Sequence, residues 1–244
     1  MIISCSAVLI TNVFDHKCQN ALRSLGDFAE LLIFDSASGI QESDLKHPNA
    51  KIIPIPDEPI TDFAFLRNEA LRLTTQEWVF FLDSDEVLQP FSTAKLQKTL
   101  QTATASGFFC TRSDFFHGKQ LHYGEAGKQK LIRLVRASAT RFTGKIHEVA
   151  QVAGKVDQSE LLVYHFSHES ISEFIADVTK YATQLGNNRD FSLFELLVYP
   201  PAKFVYTYIF LLGFLDGYRG LSYALIMTLH SMTVRITAYE KNHA

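Results

Sequence analysis

Cysteine is scarce in this sequence. Three occur in 244 residues, Cys5, Cys18 and Cys110, far apart and odd in number. No C-x-x-C or zinc-ribbon spacing accompanies them, so the pattern implies neither a disulfide framework nor a structural zinc site, and a reducing compartment fits best. A charge excess is also missing. The formal net charge is -3, and the basic residues are scattered apart from a modest group between Lys128 and Arg141, which argues against a nucleic-acid partner. Long apolar runs are lacking too. The very apolar stretch from Phe204 to Leu215 falls short of the ~20 residues a spanning helix needs. The apolar opening "MIISCSAVLITN" has no basic n-region and no clear cleavage site, so it is expected to be a first strand and not a signal peptide. Repeats and low-complexity tracts are absent.

The composition that remains, 47% hydrophobic and 20% charged, supplies a sizeable core for one domain with an appendage. Short apolar runs at Ser6 to Ile10, "ELLIFDS", "AKIIPIP" and "WVFFLDSD" read as buried strands. Between them "DHKCQNALRSLGDF" and "TDFAFLRNEALRLTTQ" have helical spacing, the second with Thr61 or Asp62 as N-cap. Strands alternating with helices imply an α/β fold with a mainly parallel sheet covered on both faces. After Pro90 the pattern loosens into a helix near residues 91–103 and further strands at "GFFCTRSDFFHGKQL", "KQKLIRLVRAS" and "ELLVYHFSH". From Ser170 the chain reads as helical, with expected breaks at Pro200-Pro201 and near Gly213 to Gly220. The expected domains are therefore residues 1–168 and a helical region, 169–244.

Ligands in such sheets bind beyond the carboxyl ends of the strands, and Asp35, Asp83 and Asp85 all fall at expected carboxyl ends. In "EWVFFLDSDEVL" a buried strand runs straight into three carboxylates within four positions. Oxygen ligands of this kind suit Mg²⁺ or Mn²⁺ bridging a substrate diphosphate, whereas a solvated loop or helix cap would need no ligand.

With "FLRNEAL" upstream, the run "WVFFLDSDE" resembles the family 2 glycosyltransferases. Further segments, "KLIRLVRASATRFTGKIHEVA", "LLVYHFSHESISEFIADVTKYA" and "GFLDGYRGLSYAL", resemble the branch of that family that builds the lipopolysaccharide core. The resemblance implies a GT-A fold with a helical C-terminal extension. It also implies an inverting, metal-dependent transfer from a nucleotide-sugar donor, UDP-linked, to a saccharide or glycolipid acceptor. Carried over by motif, Asp35 contacts the uracil or ribose, and Thr11 stands at the end of the first strand. Arg67 lies near the diphosphate or sugar, Asp83 faces the sugar or ribose, and Asp85 ligates the metal. The chain departs from the family after the first two strands: Thr11-Asn12-Val13 replaces a "KNE" pattern, and "DSASGIQ" lacks the usual second acid.

An inverting transfer needs one base to take the acceptor hydroxyl proton. Glu148 in "GKIHEVA" is the candidate, with His147 beside it ordering the loop, meeting the diphosphate or binding metal. Arg133 and Lys145 are expected to offset phosphate charge. His165 either adds a nitrogen ligand to the metal, beside Asp85 and Asp83, or caps the following helix with Ser167. His168 is expected to face solvent. In the C-terminal region the apolar helices, with Lys203, Arg219 and Arg235 nearby, read as an interfacial hairpin on a membrane surface or as helices packed in the core or on a second subunit. Two other functions fit parts of the pattern. One is a phosphatase of the haloacid dehalogenase type, whose loose D-x-D-x-[TV] pattern "DSDEV" satisfies. The other is a non-catalytic membrane-associated scaffold. Only the transferase needs Glu148 close to the acidic cluster.

Overall fold

Continuous apolar runs make the centre of the sheet. β1 (Ile3–Thr11), β2 (Phe28–Asp35) and, further along, β4 (Trp78–Asp83) are buried along almost their whole length, as strands covered on both faces must be. The computed structural model describes residues 2–36, 39–55, 60, 62–127, 129–144, 148–168 and 170–243. With β3 (Ala50–Pro54) these strands pair in parallel in the order β3-β2-β1-β4. α1 (His16–Ser24) connects β1 to β2, and α2 (Phe63–Leu73) connects β3 to β4. The register sets Thr11 beside Asp35 and Ile10 beside Asp83. The carboxyl ends of three strands are thereby aligned.

Beyond β4 the sheet becomes mixed. β8 (Gln129–Arg136) pairs with β4, and the order continues through β6 (Gly107–Phe116) and β11 (Val156–His168) to β5 (Glu86–Leu88). The short β7 (Lys119–Gln120) pairs with β6, and α3 (Thr93–Thr102) follows β5. Among the described residues this sheet has nine strands. The expected α/β architecture is present, with its parallel strands first and a mixed half added, in which β6 and β11 run in the same direction, Ser106 N donating to Lys155 O and Ser159 Oγ to Phe109 O. A separate hairpin joins β9 (Thr140–Thr143) to β10 (Val149–Val152). Alternate residues of β4 feed two cores: Trp78, Phe80 and Leu82 pack with Leu9, Leu96 and Leu100, while Val79 and Phe81 pack with Val8, Ala70 and Phe142.

The chain divides into two compact units, Met1–Arg112 with Lys130–His165, and Ser113–Gln129 with Phe166–Ala244. The segment 113–129 groups with the C-terminal helices, a long-range association that local periodicity does not carry. The second unit contains α4 (Ile171–Gly186), α5 (Leu193–Val205) and α6 (Tyr218–His243). Ser170 and Ser192 cap α4 and α5 through Glu173 N and Glu195 N.

Three local expectations are corrected. α5 does not break at Pro200-Pro201, which lie inside it. Proline already has helical φ, and its cost is the missing i→i−4 bond; on the exposed Leu197 side of α5 water can take up a freed carbonyl. The chain turns instead at Leu212, in the left-handed region at φ 58°. The apolar run from Leu221 to Val234, expected as one of two short apolar helices, is part of the 26-residue α6. His168 does not simply face solvent: its ring stacks on Phe174 at 4.3 Å and Nε2 lies 3.3 Å from Asp177. The glycines of "GFLDGYRG" have a packing reason, because a side chain at Gly220 would collide with the Gly213 carbonyl. Among the described residues no helix is long and apolar enough to cross a membrane.

Candidate active site

Three carboxylates at the end of β4 would repel one another if left alone. Two of them are held by arginines brought from other elements. Glu86 is fully buried at the start of β5, and its carboxylate accepts from the Asp83 backbone N–H at 3.1 Å. Arg133, on the antiparallel neighbour β8, donates from Nη2 to Asp83 Oδ2 and to Glu86 Oε1, both at 2.6 Å. Arg67, on α2, donates from Nη2 to Asp83 Oδ1 and from Nε to Glu148 Oε1, both at 2.8 Å. Arg112 Nη1 stands 3.7 Å from Glu86. Glu148, Arg67, Asp83, Arg133 and Glu86 thus form a chain of alternating sign. Buried charges persist only when paired and hydrogen-bonded in this way.

The ionisation balance follows from that geometry. Burial pushes the Asp83 carboxyl up, but Arg133 and Arg67 together outweigh it and hold it well below the usual carboxylate range. Burial pushes the Glu86 carboxyl up, and Arg133 offsets only part of this. For Arg133, burial works against the charged form, yet Asp83 and Glu86 leave it more basic than a free guanidinium.

The "RN" pair of α2 divides its labour. Arg67 reaches the acids, with its guanidinium 5.2 Å from the Phe81 ring centroid and 5.7 Å from that of Phe142. Asn68 acts as a backbone mimic: Nδ2 donates to Phe142 O at 2.9 Å, and Phe142 N donates to Oδ1 at 2.8 Å. This two-way clamp ties α2 to β9, the strand whose hairpin carries Glu148 just before β10. Arg67, Asp83, Lys130, Arg133, Phe142 and Glu148 line one cavity of about 380 Å³.

The expected site residues therefore fall into groups. Glu148, Asp83, Arg67 and Arg133 come together. Arg133, 7% exposed, spends its Nη2 on two carboxylates. Asp85 and His165 form a second pair, Oδ2 to Nε2 at 3.2 Å, because β11 runs antiparallel to β5 with His165 opposite Glu86. Burial raises the Asp85 carboxyl, and the hydrogen bond and charge of His165 more than reverse this. Asp35 and Thr11 sit side by side at the ends of β2 and β1. Thr11 is buried, with its hydroxyl donating to Val13 O at 2.7 Å and accepting from Val13 N at 3.1 Å. Lys145 and His147 lie outside the described residues, as does Thr61; Asp62 caps α2 by accepting from Phe65 N at 2.8 Å.

Asp85 and His165 offer one carboxylate and one imidazole donor, both partly exposed, whereas both Asp83 oxygens are taken by guanidinium groups. Among the described residues no group of three or more metal-ligating side chains occurs. Two protein donors with water and phosphate oxygens completing the shell suit a Mg²⁺-type ion, so the residues present fit. Sequence reasoning missed Glu86 and Asn68. The signal for Glu86 was an acid that resumes a strand three residues after Asp83; for Asn68 it was an amide directly beside the arginine on a largely buried helix.

No protein-family model matches the chain. Among curated proteins it is 26% identical over 134 residues to the SPbeta prophage-derived glycosyltransferase SunS of Bacillus subtilis (strain 168), and equally to glycosyltransferase SunS of Bacillus phage SPbeta. Among solved structures it is similar to S. aureus TarS 1-349 in complex with UDP-GlcNAc, at 12% identity and TM-score 0.47 over 100% of this chain and 92% of that one. It is also similar to glucosyl-3-phosphoglycerate synthase from Mycobacterium tuberculosis in complex with Mg²⁺ and UDP, at 21% identity and TM-score 0.35 over 44% and 43% of the two chains. The match to the SunS glycosyltransferases covers 54% of this chain and spans 30% of their length.

Proposed function

We propose that this chain is an inverting, metal-dependent glycosyltransferase of the family 2 type. It moves a sugar from a UDP-linked donor to a saccharide acceptor such as lipopolysaccharide core. The observation that carries the proposal is the cavity in which Arg67 joins Glu148 to Asp83. A candidate base and the strand-end acid thereby share one site. The sequence similarity to a glycosyltransferase points the same way.

In this reading the acceptor hydroxyl oxygen attacks the anomeric carbon while Glu148 takes its proton. The bond from that carbon to the donor diphosphate breaks on the opposite face, so the configuration inverts. Arg67 orients Glu148 and Asp83 at once. Asp35, beside Thr11, is assigned to the uridine, and Lys145 and His147 to the phosphates or acceptor next to Glu148. A divalent cation held by Asp85 and His165 would supply charge neutralisation for the departing diphosphate. Residues 1–168 would be the catalytic part. The exposed apolar side chains of the helical region, Phe194 and Phe210 foremost, support a peripheral place on the cytoplasmic face of a membrane. A dehalogenase-type phosphatase would need Asp83 as nucleophile, and both of its oxygens are already held by guanidinium groups.

Glu148→Gln is expected to lower transfer by about 10²–10⁴-fold with UDP-sugar affinity unchanged, measured by turnover and calorimetry. Asp85→Asn is expected to abolish the gain in UDP affinity on adding Mn²⁺. Transfer at the wild-type rate in Glu148→Gln would remove the base assignment, and an undiminished Mn²⁺ effect in Asp85→Asn would remove the metal assignment.

A further inference from the structure

The second unit contains a cavity of about 620 Å³ where the end of α4, the second half of α5 and the second half of α6 meet. Its charged lining is of one sign. Arg189, Lys203 and Arg235 face it together with His230, and no acid lines it among the described residues. Two carboxylates stand behind the cations. Glu195 Oε2 accepts from Arg189 Nη2 at 2.6 Å and lies 3.7 Å from Arg235 Nε, and Glu125 pairs with Lys203. Three permanent positive charges therefore meet two negative ones, and the surplus is in the cavity.

Arg235 is the most buried of the three cations. It is 7% exposed, and its Nη1 is spent on Ser231 O and Oγ, both at 2.9 Å. Its guanidinium lies over the Tyr199 ring at 4.4 Å, but Nε has no hydrogen-bond partner. That Nε is sealed from solvent beside Glu195, so Arg235 lends charge to the cavity while Arg189 and Lys203 are the cations that reach solvent. The field is positive enough to act on its neighbours. Burial, then Lys203 and Arg235, hold the His230 imidazole below its usual pKa, and burial, then Arg189, make Arg235 less basic than a free guanidinium. Tyr199 and Tyr206, both about half exposed, flank the cavity, and Val205, Ile209 and Phe210 continue the exposed apolar surface along the chain.

We infer that this cavity is a phosphate-group site, separate from the strand-end acids, in which Arg189, Lys203 and Arg235 bind a phosphomonoester or phosphodiester anion. Guanidinium groups match phosphate through paired N–H donors, and lysine adds a point charge. The flanking tyrosines and apolar side chains are those that accompany a phosphate carried on a lipid. A soluble phosphate presents the same chemistry.

The test uses the full chain with two probes, inorganic phosphate read by thermal shift and flotation with phosphatidylcholine vesicles with or without phosphatidylglycerol. Arg189→Gln and Lys203→Gln are the variants, since both side chains reach solvent and are not needed for the core; unchanged far-UV circular dichroism confirms folding. Each is expected to weaken the relevant binding about fivefold. Loss confined to phosphatidylglycerol vesicles assigns a lipid headgroup. Loss of the shift with inorganic phosphate, with vesicle binding unchanged, assigns a soluble phosphate. Wild-type behaviour of both folded variants on both probes would overturn the site. The strand-end acids take no part in either readout, so this result stands or falls apart from the transferase proposal.

Discussion

The two units treat the same residue types in opposite ways. In the first, large apolar side chains are inside: Trp78, Phe28, Phe80 and Phe81 are each at most 2% exposed. In the second, phenylalanines stand in water: Phe194 and Phe210 are each 72% exposed, and Leu197 is 65% exposed. Charges invert the pattern. The first unit holds a chain of five alternating charges at its strand ends with Arg67, Arg133 and Glu86 buried, whereas Arg189 and Lys203 of the second remain partly exposed beside their acids. A sheet covered on both faces leaves no outlet for apolar area, so any charge at its strand ends must be paired inside. The helical unit, with one stripe of each helix packed, is left with apolar surface that a partner or a membrane could cover.

The largest effects that would break this contrast are in the first unit. Phe80→Ala should cost about 3–5 kcal/mol, through lost burial and the cavity left against Phe28, whose ring stacks on it at 5.4 Å. Denaturant unfolding measures this. Arg133→Leu should cost a comparable 3–5 kcal/mol, because Asp83 and Glu86 would lose the guanidinium between them and buried Glu86 would keep only Arg112, 3.7 Å away, as a cationic neighbour. If Arg133→Leu is as stable as wild type, the buried chain of charges is not what holds the β4 end together.

A smaller effect concerns pH. Glu30 is buried on β2, accepting from Ser6 Oγ at 2.6 Å, Thr75 N at 2.9 Å and Lys51 Nζ at 3.2 Å. Burial opposes its charge, but these donors win and hold its carboxyl below the usual value. A carboxyl depressed in the folded state gives stability that is full above its unfolded pKa of about 4.3. That stability is lost as pH falls through the depressed value. Glu30→Gln should therefore flatten the acid limb of a stability-versus-pH curve and leave its shape near pH 8 unchanged. An acid limb as steep as wild type would assign the loss to other carboxylates. The smallest effect is expected for Phe210→Ser, within about 0.5 kcal/mol, with a measurable gain in solubility. A large destabilisation there would mean that the second unit depends on its exposed aromatics for its own fold.

Much of the first unit was legible because its signals are local. Buried strands show as apolar runs, and α2 announces itself by Asp62 and its spacing. Asp83 and Asp85 sit where a run of five apolar residues stops. What could not be read was which partner each charge would choose. Arg133 appeared as one of several basic residues suited to phosphate, and only the antiparallel pairing of β8 with β4 showed its Nη2 holding two acids. Glu148 lies 81 positions from Arg67, and nothing along the chain measures that separation in space. In the second unit Pro200-Pro201 misled because a helix exposed on one side tolerates what a buried one would not.

The sequence by itself determined the alternating strands and helices, the acids at the strand ends and the change to helix after Ser170. These depend on periodicity, capping and composition, which act over a few residues. Tertiary structure alone decided that Glu86, Arg133, Asp83, Arg67 and Glu148 form one line of alternating charge, that Asp85 turns to His165, and that Arg189, Lys203 and Arg235 face a common cavity. Pairing of charges depends on distance in three dimensions, and the registers of β8 against β4 and of β11 against β5, the Asn68 clamp of α2 on β9 and the packing of the C-terminal helices fix those distances.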